Sequence, residues 1–182
     1  MEDARTSAVS VNFTTLALPR LGMMQKITAL RFAGITIPSS STILNCTIQF
    51  TTASPPEFPG NVSLWVYGEL SPSPTILYNT NANISGRVRT QTHVTWSPSD
   101  WIGVGTKGPA QSTANLSSIV QEIVNQAAWA SGNSLIFFFL SDPMFTNATN
   151  ATRYASASSS GPELWVTFIP QGKILRFKVG LE

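Results

Sequence analysis

Apolar and polar positions alternate along most of this chain, and the one long departure from alternation organises the rest. Residues 113–140 read TANLSSIVQEIVNQAAWASGNSLIFFFL. Leu116, Ile119, Val120, Ile123 and Val124 recur at the i, i+3, i+4, i+7, i+8 spacing that predicts one amphipathic helix. Thr113 is placed to cap its N-terminus through the side-chain hydroxyl. A Ser131-Gly132-Asn133 turn then leads into Leu135 to Leu140, six apolar residues in a row. Such a run predicts a strand covered on both faces, with the helix covering part of it.

Shorter segments keep the period of two. Val9, Val11 and Phe13 alternate with Ser10, Asn12 and Thr14, and residues 26–32 set Thr28, Leu30 and Phe32 against Ile27, Ala29 and Arg31. In residues 43–52, Leu44, Cys46, Ile48 and Phe50 are expected to face inward, with Asn45, Thr47, Gln49 and Thr51 outward. Residues 62–68, 91–96 and 163–169 complete the set, separated by turns rich in Pro, Gly and Ser. The pattern predicts an all-β fold: a two-sheet antiparallel β-sandwich of the jelly-roll type, with one short α-helix and an extra C-terminal strand. Residues 1–170 make the sandwich and residues 171–182 a separate tail. Beyond Pro170-Gln171-Gly172, Leu175, Phe177, Val179 and Leu181 alternate with charged residues and glycine. Two pairings are open to this strand. It adds to the edge of its own sheet, or it crosses into a groove on another copy and builds a head-to-tail fibre.

Composition changes the picture at the surface. Charged residues are only 11% of the 182, well below the roughly 25% of soluble domains. A net charge of +2 is too small for a nucleic-acid footprint, despite a pI near 8.9. No run reaches the ~18 apolar residues of a membrane span, and the polar first ten residues show no signal peptide. The sequence does hold seven Asn-x-Ser/Thr sites, at Asn12, Asn45, Asn61, Asn83, Asn115, Asn147 and Asn150, where its 11 Asn and 42 Ser/Thr residues give roughly 2.5 by chance. That excess favours a secreted, N-glycosylated protein over a cytosolic one. The alternative is that a Ser/Thr-rich β protein accumulates such sites unmodified.

Little catalytic chemistry is on offer. His93 is the only histidine, which excludes multi-histidine metal sites, and it is read as a structural imidazole. Cys46, the only cysteine, reads as a small buried hydrophobe. The nine acidic residues are dispersed. The glycine-bearing loop at 103–108 lacks the Gly-Lys-Ser/Thr ending of a phosphate cradle. No catalytic residue, metal or cofactor is expected. Trp65, Tyr67 and Trp165 fall on strand faces opposite the inferred core, as candidates for stacking on sugar rings or as packing residues.

The stretches ALRFAGITIP, SGRVRT, VTWSPSDW and QSTANLSSIVQEIVNQAAWASGNSLIFF resemble secreted jelly-roll modules of the DNRLRE or carbohydrate-binding-module-like kind. Arg31-Phe32, Ile37-Pro38, Arg87 to Thr90, Trp96, Trp101, Thr113 to Glu122 and Trp129 carry the likeness over residues 2–169. Ala114-Asn115 stands where that pattern has Pro-Asp, and Gly86 where it has Ser. The resemblance implies an extracellular, non-catalytic module in which Trp96, Trp101 and Trp129 are structural. The expected role is a subunit of an extracellular glycoprotein filament, self-assembling by donation of the tail strand. The alternative is a carbohydrate-binding module whose partner is a polysaccharide.

Overall fold

The computed structural model describes residues 6–7, 15–17, 27–56, 59–77, 84–145, 151–157, 161–170 and 175–180. The strands are β1 (Thr6–Ser7), β2 (Thr15–Ala17), β3 (Ile27–Ile35), β4 (Thr42–Gln49), β5 (Thr52–Ser54), β6 (Leu64–Gly68), β7 (Val94–Trp96), β8 (Asn133–Ser141), β9 (Tyr154–Ser156), β10 (Glu163–Ile169) and β11 (Leu175–Gly180), with helix α1 at Ser117–Val124. They form a five-stranded sheet in the order β1-β3-β8-β6-β7, a three-stranded sheet β11-β10-β4, and a small sheet β2-β9-β5. Every strand pair is antiparallel except β1 with β3. The protein is an all-β sandwich with one short helix. The first predicted strand, at Val9 to Phe13, lies outside the described residues.

The core lies between the five- and three-stranded sheets. Leu30 and Phe32 of β3, Leu135, Phe137 and Phe139 of β8, and Leu64 and Val66 of β6 meet Cys46 and Ile48 of β4 and Leu164, Val166 and Phe168 of β10. Strand β8 is indeed covered on both faces. Its alternate residues Ile136 and Phe138 join Ile27, Ala29 and Ile84 in a second, smaller cluster on the outer side. That outer cover comes from the segment after β6, not from the helix. Helix α1 instead packs on β4 and β6 and drives Ile119, Val120, Ile123 and Val124 into the main core.

Strand β4 departs from its expected register. Asn45 pairs with Thr167 but Ile43 with Phe168, so Leu44 is the extra residue of a β-bulge. Ile43 is therefore buried at 7% exposure while Leu44 stands out at 43%. The alternation holds from Cys46 to Phe50 and fails one turn of the pleat earlier; it also fails at Thr51, expected outward but buried at 8% exposure where the chain leaves β4.

The free edge of β4 is closed by the segment leading into α1. The N–H groups of Phe50, Thr113 and Leu116 donate to the carbonyls of Gln111, Ile48 and Cys46 at 2.9, 3.0 and 2.7 Å. Between these, side chains stand in for a strand: the N–H groups of Ile48, Cys46 and Ile43 donate to Thr113 Oγ1, Asn115 Oδ1 and Gln121 Oε1 at 2.9, 3.0 and 2.8 Å. Thr113 thus serves the sheet and not the helix. Leu116 is the N-cap residue and makes no side-chain cap; Asn115 Oδ1 takes up the Ser117 N–H at 2.9 Å instead.

Gly68 marks the closest approach of α1 to β6. A Cβ there would lie 2.6 Å from Ile123 Cδ1 and 2.8 Å from Ile119 Cγ2. Gly68→Ala is expected to lower stability by about 1–3 kcal/mol through overpacking, readable as a fall in the urea unfolding midpoint. An unchanged midpoint would mean that the helix shifts freely on the sheet.

The tail forms an edge strand of its own chain's sheet. Strand β11 pairs with β10 from Glu163↔Gly180 to Phe168↔Leu175. Of the two pairings the sequence leaves open, the structure holds the one within the chain. Leu181 lies outside the described residues.

Candidate functional site

The outer face of the five-stranded sheet is built in rows. Register sets Ile27, Leu140, Trp65 and Thr95 side by side across β3, β8, β6 and β7, and in the next row Ala29, Phe138 and Tyr67. His93, one residue before β7, extends that second row toward the sheet edge. Its imidazole stands 4.4 Å from the Trp65 ring and 5.1 Å from that of Tyr67, at interplanar angles of 34° and 33°. The Trp65 and Tyr67 rings meet edge-on at 6.3 Å and 68°. Three rings therefore make a shelf along the β6–β7 edge. Trp65 and Tyr67 are half-buried and His93 is exposed, so the two aromatics pack on one side and keep the other open. The inner side of Tyr67 packs on the Phe138 cluster, and the outer side faces water.

The helix side holds the shelf in place. Glu122, on α1, accepts from the N–H groups of Gln91 and Thr92 at 2.8 and 3.0 Å. That fixes the chain immediately before His93. Burial tends to raise the Glu122 pKa, but these donors outweigh it and leave the carboxyl below its ordinary value. Beyond the shelf, next to Tyr67, Arg89 lays its guanidinium over the Phe138 ring at 5.8 Å and makes no part of the shelf. Burial pushes the Tyr67 phenol up while the Arg89 charge opposes the shift; the net effect is upward, so Tyr67 keeps its proton at neutral pH. It can both donate and accept.

Trp165 does not belong to this site. It projects from the outer face of the three-stranded sheet, on the opposite side of the sandwich, with 43% exposure. Lys178 of β11 lies over its ring at 5.5 Å, and its Nε1 donates to Glu163 at 3.3 Å. Glu163 also takes ion pairs from Lys107, at 2.5 Å, and from Lys178. Although burial opposes it, these cations hold the Glu163 carboxyl below its ordinary pKa. The three aromatics that the sequence groups together are thus two separate sites.

The other sequence candidates divide cleanly. Trp96, Trp101 and Trp129 are buried at 5%, 0% and 3% exposure. Trp101 and Trp129 donate their indole N–H to the carbonyls of Ala110 and Ile37, each at 2.9 Å. Cys46 is fully buried, and burial pushes its thiol pKa far up, which leaves no nucleophilic thiolate. Asn45, Asn61 and Asn115 are exposed. The Asn115 carboxamide uses its oxygen internally and leaves its nitrogen, the atom that would carry a glycan. Asn12, Asn83, Asn147 and Asn150 lie outside the described residues. Of the tail residues Leu175, Phe177 and Val179 in β11, the side chain of Val179 is described, half-buried against the main core. Among the described residues no three His, Cys, Asp or Glu side chains gather as for a metal ion, and no helix is long and apolar enough to cross a membrane.

No family model, curated protein or solved structure matches this chain.

The sequence already carried half of the shelf. Trp65 and Tyr67 are visible as a same-face pair two residues apart. His93 and Arg89 are not, because their nearness depends on which strands pair and in what register. A signal was nonetheless present: His93 shares the outward parity of Thr95 and not that of the buried Trp96.

Proposed function

We propose that this protein is a secreted, N-glycosylated, non-catalytic module that binds polysaccharide on the shelf formed by Trp65, Tyr67 and His93. One observation carries the reading: three aromatic rings, partly open to water, sit on a rigid sheet face outside the core. Flat aromatic surfaces pack against the C–H faces of pyranose rings, and adjacent phenol, indole and imidazole N–H and O–H groups serve the hydroxyls. The excess of glycosylation sites and the exposure of Asn45, Asn61 and Asn115 support an extracellular location.

Affinity electrophoresis of the whole chain through gels containing xylan, mannan, soluble cellulose derivatives or polygalacturonate tests this. Retardation by at least one is expected, with Trp65→Ala weakening it about tenfold, near 1.4 kcal/mol. Trp165→Ala should leave it unchanged. If no gel retards the protein, or if Trp65→Ala migrates as the parent does, the shelf is a packing feature only.

A second reading keeps the filament role. Strand β11 lies at the edge of its sheet, paired on one side to β10, and it follows a Pro-Gln-Gly break. The same place beside β10 would accept the identical strand from another copy. Under this reading, removal of residues 171–182 leaves a folded monomer and abolishes assemblies seen by electron microscopy and light scattering. A protein that is monomeric at all concentrations with its tail intact would end it.

A further inference from the structure

Resting on the polysaccharide-binding reading, the geometry points to a negatively charged saccharide, one carrying carboxylate or sulfate, as the ligand of the Trp65–Tyr67–His93 shelf. Glu69 and Arg89 form a bridge pair in the backbone next to Tyr67, which would ordinarily let their side chains meet. They do not. Arg87 takes the Glu69 carboxylate at 2.7 Å and anchors itself further on the Thr75 carbonyl at 3.2 Å and the Ile76 carbonyl at 2.9 Å.

Among the described residues no carboxylate pairs with Arg89. Its guanidinium lies over Phe138, its Nε is buried without an acceptor, and it donates no hydrogen bond to any described residue. The other acids nearby are also engaged. Glu122 is held by the backbone of Gln91 and Thr92, and Asp142, beyond the Trp65 end of β6, by Ser63 and the Met144 N–H. In a chain with so few charged residues, an unneutralised guanidinium adjoining an aromatic shelf is a local field that favours an anion. Guanidinium offers the paired N–H geometry that fits carboxylate and sulfate oxygens. A ring stacked on Trp65 and bearing its acidic group toward Tyr67 would bring that group to Arg89.

Titration of the whole chain in ~50 mM salt, a concentration at which charge is weakly screened, separates this inference from the reading beneath it. The probes are polygalacturonate, the same polymer with its carboxyls reduced to neutral galactan, and a sulfated galactan. The acidic polymers are expected to bind at least about tenfold tighter than the neutral one, the scale of one charge-assisted hydrogen bond. Whichever acidic polymer binds tighter identifies the anion. Arg89→Met should erase the difference and keep the neutral-polymer affinity, and Arg89→Lys should restore part of it. Circular dichroism and thermal melts verify that both variants are folded; should Arg89→Met unfold, the lysine variant and the loss of preference at ~0.5 M salt carry the test. Equal binding of acidic and neutral polymers overturns the anionic inference and leaves the shelf as a neutral-sugar site. Binding of none of the three, when no neutral polysaccharide binds either, overturns both.

Discussion

Arg153→Met is expected to lower stability by about 3–5 kcal/mol, the cost typical of breaking a buried charged network. Arg153 is 1% exposed, yet it sits at the end of the sandwich where the loops around residues 60, 99 and 152 converge. Its Nε donates to the Ser99 carbonyl at 2.6 Å, one terminal nitrogen to the Thr152 carbonyl at 2.9 Å, and the other to the carbonyls of Gly60 and Pro98 at 2.7 and 3.0 Å. Methionine fills similar space but takes the donor away from four carbonyls, two of them in fully buried hydrogen bonds. Asp100 also touches the guanidinium, at 2.9 Å, but its side chain is 37% exposed. Solvent screening makes that pair worth less than about 1 kcal/mol. Asp100→Asn should therefore melt close to the parent while Arg153→Met melts roughly 10 °C lower. If the two variants lose equal stability, the ion pair holds the loops together and the carbonyl clamp does not.

Phe50→Ala is expected to cost about as much, roughly 3–5 kcal/mol, by a different route. The Phe50 ring stacks on Trp96 at 5.6 Å and 11°, tilts against Trp101 at 5.6 Å, and meets Phe139 edge-on at 5.9 Å. Removing it opens a cavity among three rings, Trp96 and Phe139 of the five-stranded sheet and Trp101 of the loop after β7, and forfeits aromatic contacts worth about 0.5–1.5 kcal/mol each. Phe50→Leu should recover a large part of the volume and of the stability. Urea unfolding measures the loss, and the near-ultraviolet circular dichroism of Trp96 and Trp101 should flatten in the alanine variant. A near-parental unfolding midpoint for Phe50→Ala would mean that the cluster collapses to fill its own void.

How much of this was readable beforehand follows from the range over which each signal acts. The burial of β8 on both faces and the stripe of α1 are properties of consecutive residues, so their order along the chain reveals them. The bulge at Leu44 is not, since it depends on how β4 meets β10 at Phe168. The role of Thr113 turns on a related point. A hydroxyl just before a helix is equally able to cap it or to answer a strand, and the nearby Ile48 N–H decides. Grouping Trp165 with Trp65 and Tyr67 failed because alternation tells only that a residue faces away from the core, not which outer face it reaches. The tail's amphipathic pattern is the same whichever chain supplies its partner.

The closure of β4 by Thr113, Asn115 and Gln121 has a consequence for how copies of this protein can meet. With that border occupied, the three-stranded sheet among the described residues has one docking side left, along β11. Two copies that add edge to edge through that side would satisfy each other and stop at a pair. An endless ribbon would require each copy to hand its last strand onward and receive another, so that dimer or polymer is decided by the connection between β10 and β11 and not by the sheet.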